Sequence, residues 1–267
     1  MVIRGKRKDI METELINQPA PSHTLEWQIA TVVKVKLETQ SVKTFTLELS
    51  DWVPHRAGQH YDVRLTAPDG YQAQRSYSIA SNPEQRGQIE LTVERLEEGE
   101  VSTYMHDILI IGDQVELRGP IGGYFVWEVS MGGPLLLVAG GSGIVPLMAM
   151  IRHRQAAKSK VPVRLLYSSR TYEDIIYRDE LDQLTVDHSG LEVIHTLTRQ
   201  IPQGWAGYTR RIDLSMLKET IKPFGKKFTT YICGPTSLVE AAANSLVTLG
   251  VSPTSIKTER FGPTGGS

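Results

Sequence analysis

Short segments rich in β-branched and other apolar residues, separated by polar turns, fill the first half of the chain. They fall at Trp27–Leu37, Val42–Leu49, His60–Thr66, Ala73–Ala80, Gln88–Arg95 and Gln114–Arg118, with turn signals such as Pro68-Asp69-Gly70 between them. Six such strands with one short helix near Ser102–Leu109 predict a small antiparallel β-barrel. After Val129–Gly133, which reads as a linker, the pattern changes. Strands are expected at Leu135–Ala139, Val163–Ser168, Leu191–Leu197, Thr229–Cys233 and near Ser255–Glu259. Between them, helices are expected at Val145–Ala157, Ile175–Leu184, Leu214–Thr220 and Ser237–Leu249. Such alternation predicts an α/β doubly wound parallel sheet. The expected division is a mobile N-terminal tail over residues 1–25, a barrel domain over 26–130 and an α/β domain over 131–267.

Three segments carry candidate chemistry. The first is Arg75-Ser76-Tyr77-Ser78-Ile79-Ala80-Ser81, which puts a cation, an aromatic ring and hydroxyls at alternate positions of a strand. Arg75 and Tyr77 share one face, and Ser76 and Ser78 the other unless the strand turns. A flavin needs these groups: a ring against its isoalloxazine, a guanidinium for phosphate and a hydroxyl near N5. Taken alone, the segment reads more readily as a half-buried strand with a surface arginine; the two further segments overturn that reading.

The second segment runs Leu135-Leu136-Leu137-Val138-Ala139-Gly140-Gly141-Ser142-Gly143-Ile144-Val145-Pro146. An apolar strand leads into a glycine cluster and then a helix, whose N-terminal N–H groups and dipole favour a pyrophosphate. Pro146 suits the first helical turn but stands where the ordinary dinucleotide fingerprint has its third glycine. A generic strand–turn–helix is the alternative. The third segment, Thr229-Thr230-Tyr231-Ile232-Cys233-Gly234-Pro235-Thr236, places Cys233 at the carboxyl end of a strand, where open α/β sheets bind ligands. A small buried hydrophobe is the other reading of Cys233.

Together and in this order, the R-x-Y-S run at Arg75–Ser78, the G-G-x-G-I-x-P run at Gly140–Pro146 and the C-G-P run at Cys233–Pro235 resemble the ferredoxin–NADP reductase superfamily. The resemblance covers about residues 27 to 263 and is closest to bacterial reductases of oxygenases. It implies a flavin-binding barrel followed by a nicotinamide-nucleotide-binding sheet. Arg75 would then neutralise the flavin phosphate, Ser76 would join the same run, Tyr77 would stack on the ring and Ser78 would bond near N5. Gly99, Val101 and Ser102 match the family's G-x-x-S turn for the flavin pyrophosphate, which makes the cofactor FAD; Ser102 is also a plausible helix N-cap. Glu100, inside that turn, brings a negative charge near phosphates unless it points to solvent.

The resemblance assigns Gly141, Ser142, Gly143, Ile144, Pro146, Cys233, Gly234 and Pro235 to NAD(P)H. Cys233 would lie near the nicotinamide C4 as a positioning group, not a nucleophile. Glu259 and Phe261 belong to a C-terminal segment, Thr258–Gly262, facing the flavin, with Glu259 joining Ser78 and Cys233 at the reacting centre. Which residue covers the flavin face opposite Tyr77 stays open. Ser169, Arg170, Arg199 and Arg211 end two strands or follow them, and suit a 2′-phosphate better than the acid that often holds an NAD ribose. NADPH is therefore favoured over NADH, although the arginines could instead pair with Glu173 and Asp174.

Composition narrows the partners. The net charge of −1 gives no reason to expect nucleic acid or an anionic membrane. No run of about 18 apolar residues is present, and no apolar stretch follows the basic Arg4, Lys6, Arg7 and Lys8, so neither a membrane span nor a secretory signal is expected. One cysteine allows no disulfide and no Cys-ligated iron–sulfur cluster within this sequence, which fits the cytoplasm. The seven histidines lack metal-ligand spacing, and His60 and His106 read as structural. The expected acceptor is thus a separate protein: a ferredoxin, a haem protein or a metal-cofactor oxidoreductase. A reductase of free flavin, ferric chelate or quinone, and a non-catalytic flavoprotein subunit, are the alternatives. The oligomeric state is not legible.

Overall fold

A computed structural model describes residues 25–186, 190–225 and 227–261; the expected tail, Leu25 apart, and Gly262 lie outside the described residues. Strands β1 (Trp27–Thr39), β2 (Val42–Leu49), β3 (His60–Thr66), β4 (Gln72–Ser78), β5 (Gln88–Glu94) and β6 (Gln114–Ile121) form one antiparallel sheet. Its order is β4-β3-β6-β1-β2-β5. Just past β4, Ile79 bridges Leu91 of β5 and brings the two edges together, so the sheet curls into a barrel. Alternate side chains turn inward: Phe45 and Leu47 from β2, Tyr61 and Val63 from β3, Ile89, Leu91 and Val93 from β5. Each such buried side chain contributes about 1.5–3 kcal/mol. Helix α1 (Glu100–Asp107) closes one end with Val101 and Met105.

The second sheet, in the order β11-β10-β7-β8-β9, is parallel throughout. It comprises β7 (Leu135–Gly140), β8 (Val163–Ser169), β9 (Leu191–Leu197), β10 (Thr229–Pro235) and β11 (Ile256–Phe261). All six residues of β7 are buried, because helices cover both faces of this central strand. Helix α2 (Ile144–Ala156) is buried from Ile144 to Ile151 on every side. It packs between the sheet and the barrel, in one cluster that runs from Ala57, Ala80 and Phe125 to Val145, Met148 and Cys233. Helix α3 (Arg178–Val186) adds Leu181 to this layer. Helices α4 (Leu214–Ile221) and α5 (Thr236–Thr248) cover the other face. Among the described residues no helix is long and apolar enough to cross a membrane.

Several expected boundaries shift, three of them for a clear local reason. The strand expected over Ala73–Ala80 ends at Ser78, because the chain leaves β3 there to bridge β5. The first helix starts at Glu100 with Gly99 as its cap, so Ser102 is not the N-cap but the third helical residue. The helix expected over Ile175–Leu184 begins only at Arg178, since Tyr177 takes φ 61°, a left-handed conformation that no helix continues through.

Candidate active site

The barrel presents its share of the site along β4. Arg75 is exposed; its Nη1 donates to the Gln74 carbonyl at 2.6 Å, and no carboxylate pairs with it among the described residues. Tyr77 is half-buried against the barrel core, and burial pushes its phenol up to about 12, so it stays neutral. Ser76 points elsewhere. Its hydroxyl donates to Asp62 Oδ1 at 2.6 Å, and Asp62 Oδ2 accepts from Arg118 at 2.8 Å. That side chain is spent on the outer wall of the barrel and does not join Arg75 and Tyr77. Ser78 is buried and its Oγ has no partner. An orphaned buried hydroxyl costs about 1–3 kcal/mol, so a hydrogen-bonding ligand group fits there.

At the start of α1 no side chain caps the helix, and the first intrahelical bond runs from Thr103 N to Gly99 O. The amides of Glu100, Val101 and Ser102 precede that bond, which suits an anion. Ser102 Oγ accepts from Leu96 N and donates to Gly99 O, both at 3.2 Å, and so braces the turn from within. The Glu100 carboxylate is drawn aside to the Tyr71 hydroxyl at 3.0 Å.

The sheet supplies the facing half at the carboxyl ends of β7, β10 and β11. Gly141 takes φ 53°, and the space a Cβ would occupy there is open. Gly143, by contrast, lies flat on β10: a Cβ would stand 2.2 Å from the Cys233 carbonyl oxygen. Ser142 is half-buried at the turn, Ile144 opens α2, and Pro146 occupies its first turn without forfeiting a bond. Gly234 at φ 155° abuts Gly140, and Pro235 caps α5, so the glycine loop and the Cys233–Pro235 loop interlock backbone to backbone. Tyr167 braces this arrangement from below. Its hydroxyl donates to the Gly141 carbonyl at 3.2 Å and accepts from Ile176 N at 3.3 Å.

Cys233 is fully buried, with Ala139 beside it on β7 and Glu259 on β11. Burial, and then the Glu259 charge, pushes its thiol up, so it stays protonated and is no nucleophile. Glu259 Oε2 is buried without a partner, and burial raises the carboxyl to about 7. Phe261 pairs with Pro235 and packs on the cluster that contains Cys233.

At the far corner, Arg170 and Arg199 follow adjacent strands and are joined by Arg199 N to Arg170 O at 2.9 Å. Arg211 is also exposed, and the carbonyl of its neighbour Arg210 accepts from Thr196 Oγ1 on β9. None of these three guanidiniums pairs with a carboxylate among the described residues; Asp174 is instead engaged by the Thr171 amide and hydroxyl. Ser169 does not share in the cluster. Its side chain is buried on the Tyr167 side of the strand, and its carbonyl accepts from Thr198. Tyr167 and Tyr71 were not singled out in the sequence; the only available signal was that Tyr167 lies in the strand leading to Ser169.

Both halves therefore fit an FAD and a nicotinamide nucleotide: an unpaired guanidinium, an orphaned hydroxyl and an uncapped helix on the barrel, and an open glycine turn on the sheet. Comparison with known proteins agrees. The oxidoreductase FAD-binding domain family matches residues 29–126, and the oxidoreductase NAD-binding domain family matches residues 137–244. The chain belongs to the ferredoxin–NADP reductase superfamily. It is 28% identical to the phenol hydroxylase P5 protein of Acinetobacter pittii, covering 90% of this chain and 67% of that one. It is 31% identical to the glycine betaine monooxygenase reductase subunit of Pseudomonas aeruginosa (87% and 63%). With NADH-cytochrome b5 reductase 1 of Lodderomyces elongisporus the identity is 32% (72% and 64%). The chain thus spans about two thirds of the length of these relatives. Among solved structures, the flavohem-like FAD/NAD-binding domain of Vibrio cholerae nitric oxide dioxygenase has the same fold, with TM-score 0.78 at 23% identity over 88% of this chain and 99% of that one. So does the cytochrome b5 reductase domain of Ulva prolifera nitrate reductase, with TM-score 0.78 at 23% identity over 90% and 100%.

Proposed function

We propose that the chain takes a hydride from a nicotinamide nucleotide, NADPH in preference to NADH, and passes electrons through FAD to a separate redox protein. The observation that carries this reading is that two of the buried, unpartnered polar atoms, Ser78 Oγ on the barrel and Glu259 Oε2 on the sheet, lie next to one cluster, which holds both Ala80 and Cys233. FAD held there would supply the chemistry that converts a two-electron hydride donor into single electrons for the acceptor.

The chain's own residues do the rest. Arg75 meets flavin phosphate with a rigid guanidinium. The Val101 and Ser102 amides hold the pyrophosphate, Tyr77 lies against the ring and Ser78 orients its edge. Gly141 to Gly143 admit the nucleotide pyrophosphate, and Cys233 shapes the wall against the nicotinamide. The Glu259 carboxyl, raised by burial to about 7, can hold or release a proton near neutral pH, where most carboxyls stay ionised. Arg170, Arg199 and Arg211 form the unpaired positive corner that favours a 2′-phosphate. The division near residue 130 into flavin and nicotinamide domains, and a cytoplasmic setting for a chain with one cysteine, belong to the same proposal.

Mass analysis of the released cofactor and anaerobic bleaching by each nucleotide test it. FAD and faster bleaching by NADPH are expected. FMN would remove the role given to the α1 turn, and faster bleaching by NADH would reverse the nucleotide preference. Reoxidation by free flavin, ferric chelate or quinone as fast as by any redox protein would replace the protein acceptor with a small one.

A further inference from the structure

We infer that Arg152 is a positioning residue: its guanidinium, reaching from α2 onto Ala80 and Glu90, sets how the sheet unit docks on the barrel and so how far apart the two substrate subsites stand. The second half of that inference rests on the proposed function; the first does not.

Arg152 sits on the helix that begins at the glycine turn, and its side chain is only 14% exposed. Nη1 donates to the Ala80 carbonyl and to Glu90 Oε2, both at 2.8 Å. Nε and Nη2 donate to the two oxygens of Glu180 on α3, at 2.8 and 2.7 Å. Four of its five donors are thus used, two on each side of the interface. Ala80 lies two residues beyond Ser78, and its amide donates to the Glu90 carbonyl at 2.7 Å. One guanidinium from the nucleotide helix therefore pins the end of the strand that carries Arg75, Tyr77 and Ser78.

The same guanidinium lies 4.9 Å from the centre of the Tyr177 ring. Tyr177 is buried and holds φ 61°, a strained conformation for a bulky residue, and its hydroxyl donates to Thr92 on β5. Elsewhere the two units pack through apolar residues, Ala57, Ala80, Phe125 and Trp127 against α2, but next to these bonds they do not. A crevice of about 250 Å³ opens between them, lined also by Lys34, Lys36, Glu38, Thr44 and Thr46. Its charges are largely spent on one another, Lys36 on Glu38 and Arg152 on its two glutamates, so it is a polar gap and not an anion site. Across a polar gap, orientation rests on directed bonds. Arg152 makes two of them, those that reach Ala80 and Glu90, beside His153 on Glu84, Tyr177 on Thr92 and Tyr231 on the Val126 carbonyl.

The geometry separates positioning from general stability. Glu180 belongs to the same unit as Arg152, whereas Glu90 lies across the interface. In the full chain with its flavin bound, Arg152→Gln should slow flavin reduction at saturating NADPH by about 10- to 100-fold, since misplacement by about 1 Å costs that much. NADPH affinity should change by less than about 3-fold and flavin should be retained. Glu90→Gln should act in the same direction with a smaller effect, Arg152→Lys should restore part of the rate, and Glu180→Gln should lower the unfolding temperature with the rate within about 2-fold of wild type. Amide exchange, which needs no turnover, should rise at residues 79–81 and 88–94 in Arg152→Gln and Glu90→Gln but not in Glu180→Gln. Equal rate losses in the Glu90 and Glu180 variants, or an unchanged rate in a folded, flavin-bound Arg152→Gln, would overturn the inference. A wild type reduced by neither nucleotide would sink the proposed function, and the exchange pattern alone would then decide the docking claim.

Discussion

Two helices in this protein begin at a glycine turn, and they are built in opposite ways. Helix α1 has eight residues and caps the end of the barrel with only Val101, Ser102 and Met105 buried. Its turn is braced by side chains, Ser102 on Leu96 and Gly99 and Tyr71 on Glu100. Helix α2 has thirteen residues and is buried nearly all round. Its turn is held mainly by close backbone contact, Gly143 flat on Cys233 and Gly234 against Gly140, with one side chain, Tyr167, on the Gly141 carbonyl. A short exposed helix has little burial to hold it and relies on local hydrogen bonds. A buried one is held by packing and tolerates no added atom. The same anion-binding geometry is therefore soft on the flavin side and rigid on the nucleotide side.

The sharpest test of that contrast is Gly143→Ala. The new methyl would meet the Cys233 carbonyl oxygen at 2.2 Å and its carbon at 2.4 Å, neither of which can move aside. Overpacking of this kind costs about 1–3 kcal/mol or more, and reduction by NADPH should fall by more than about 100-fold. Flavin absorbance should persist; its loss would mean that the two turns are not independent. Arg170→Ala probes the soft edge of the rigid side. Losing a charged hydrogen-bond partner there should weaken NADPH by about 1.5–3 kcal/mol, roughly 10- to 150-fold, and barely touch NADH. Equal losses for both nucleotides in steady-state kinetics would make Arg170 structural.

Glu259 gives the nucleotide side a pH signature of its own. Its carboxyl titrates at about 7 in the folded chain against about 4.5 ordinarily, so the native state holds the proton more tightly than the unfolded one. Stability tied to this group is present below pH 4.5 and is lost as pH rises towards 7. Chemical unfolding should show Glu259→Gln gaining on wild type across that window, by at most about 3 kcal/mol, with a constant gap above it. A gap that does not change with pH would place the carboxyl in water. The smallest effect is expected on the soft side. Ser102→Ala removes two 3.2 Å bonds and should cost about 1 kcal/mol, loosening flavin a few-fold in a retention assay while leaving NADPH affinity alone.

Adjacent residues were enough to reveal much of this protein. The apolar run Leu135–Ala139 reads as a buried parallel strand, the glycines after it as a turn, and Cys233-Gly234-Pro235 as a strand end, because periodicity and turn chemistry are written within a few positions. The order of the three motifs then pointed to the superfamily. Other features depend on contacts between residues far apart in the chain. Arg152 meets Glu90 across 62 positions and Ala80 across 72, and no local pattern marks it as an interface residue. Ser76 turned to Asp62, Ser102 became an internal brace instead of a cap, and Ser169 went inward, each because of a neighbour or a helix start that the tertiary fold supplied. The resemblance put Glu259 at the reacting centre, but nothing in the sequence gave its protonation. Only the burial of its Oε2 beside Cys233, with no hydrogen-bond partner among the described residues, lifts its carboxyl to about 7, since the charge of a side chain is decided by the medium around it and not by its position in the chain.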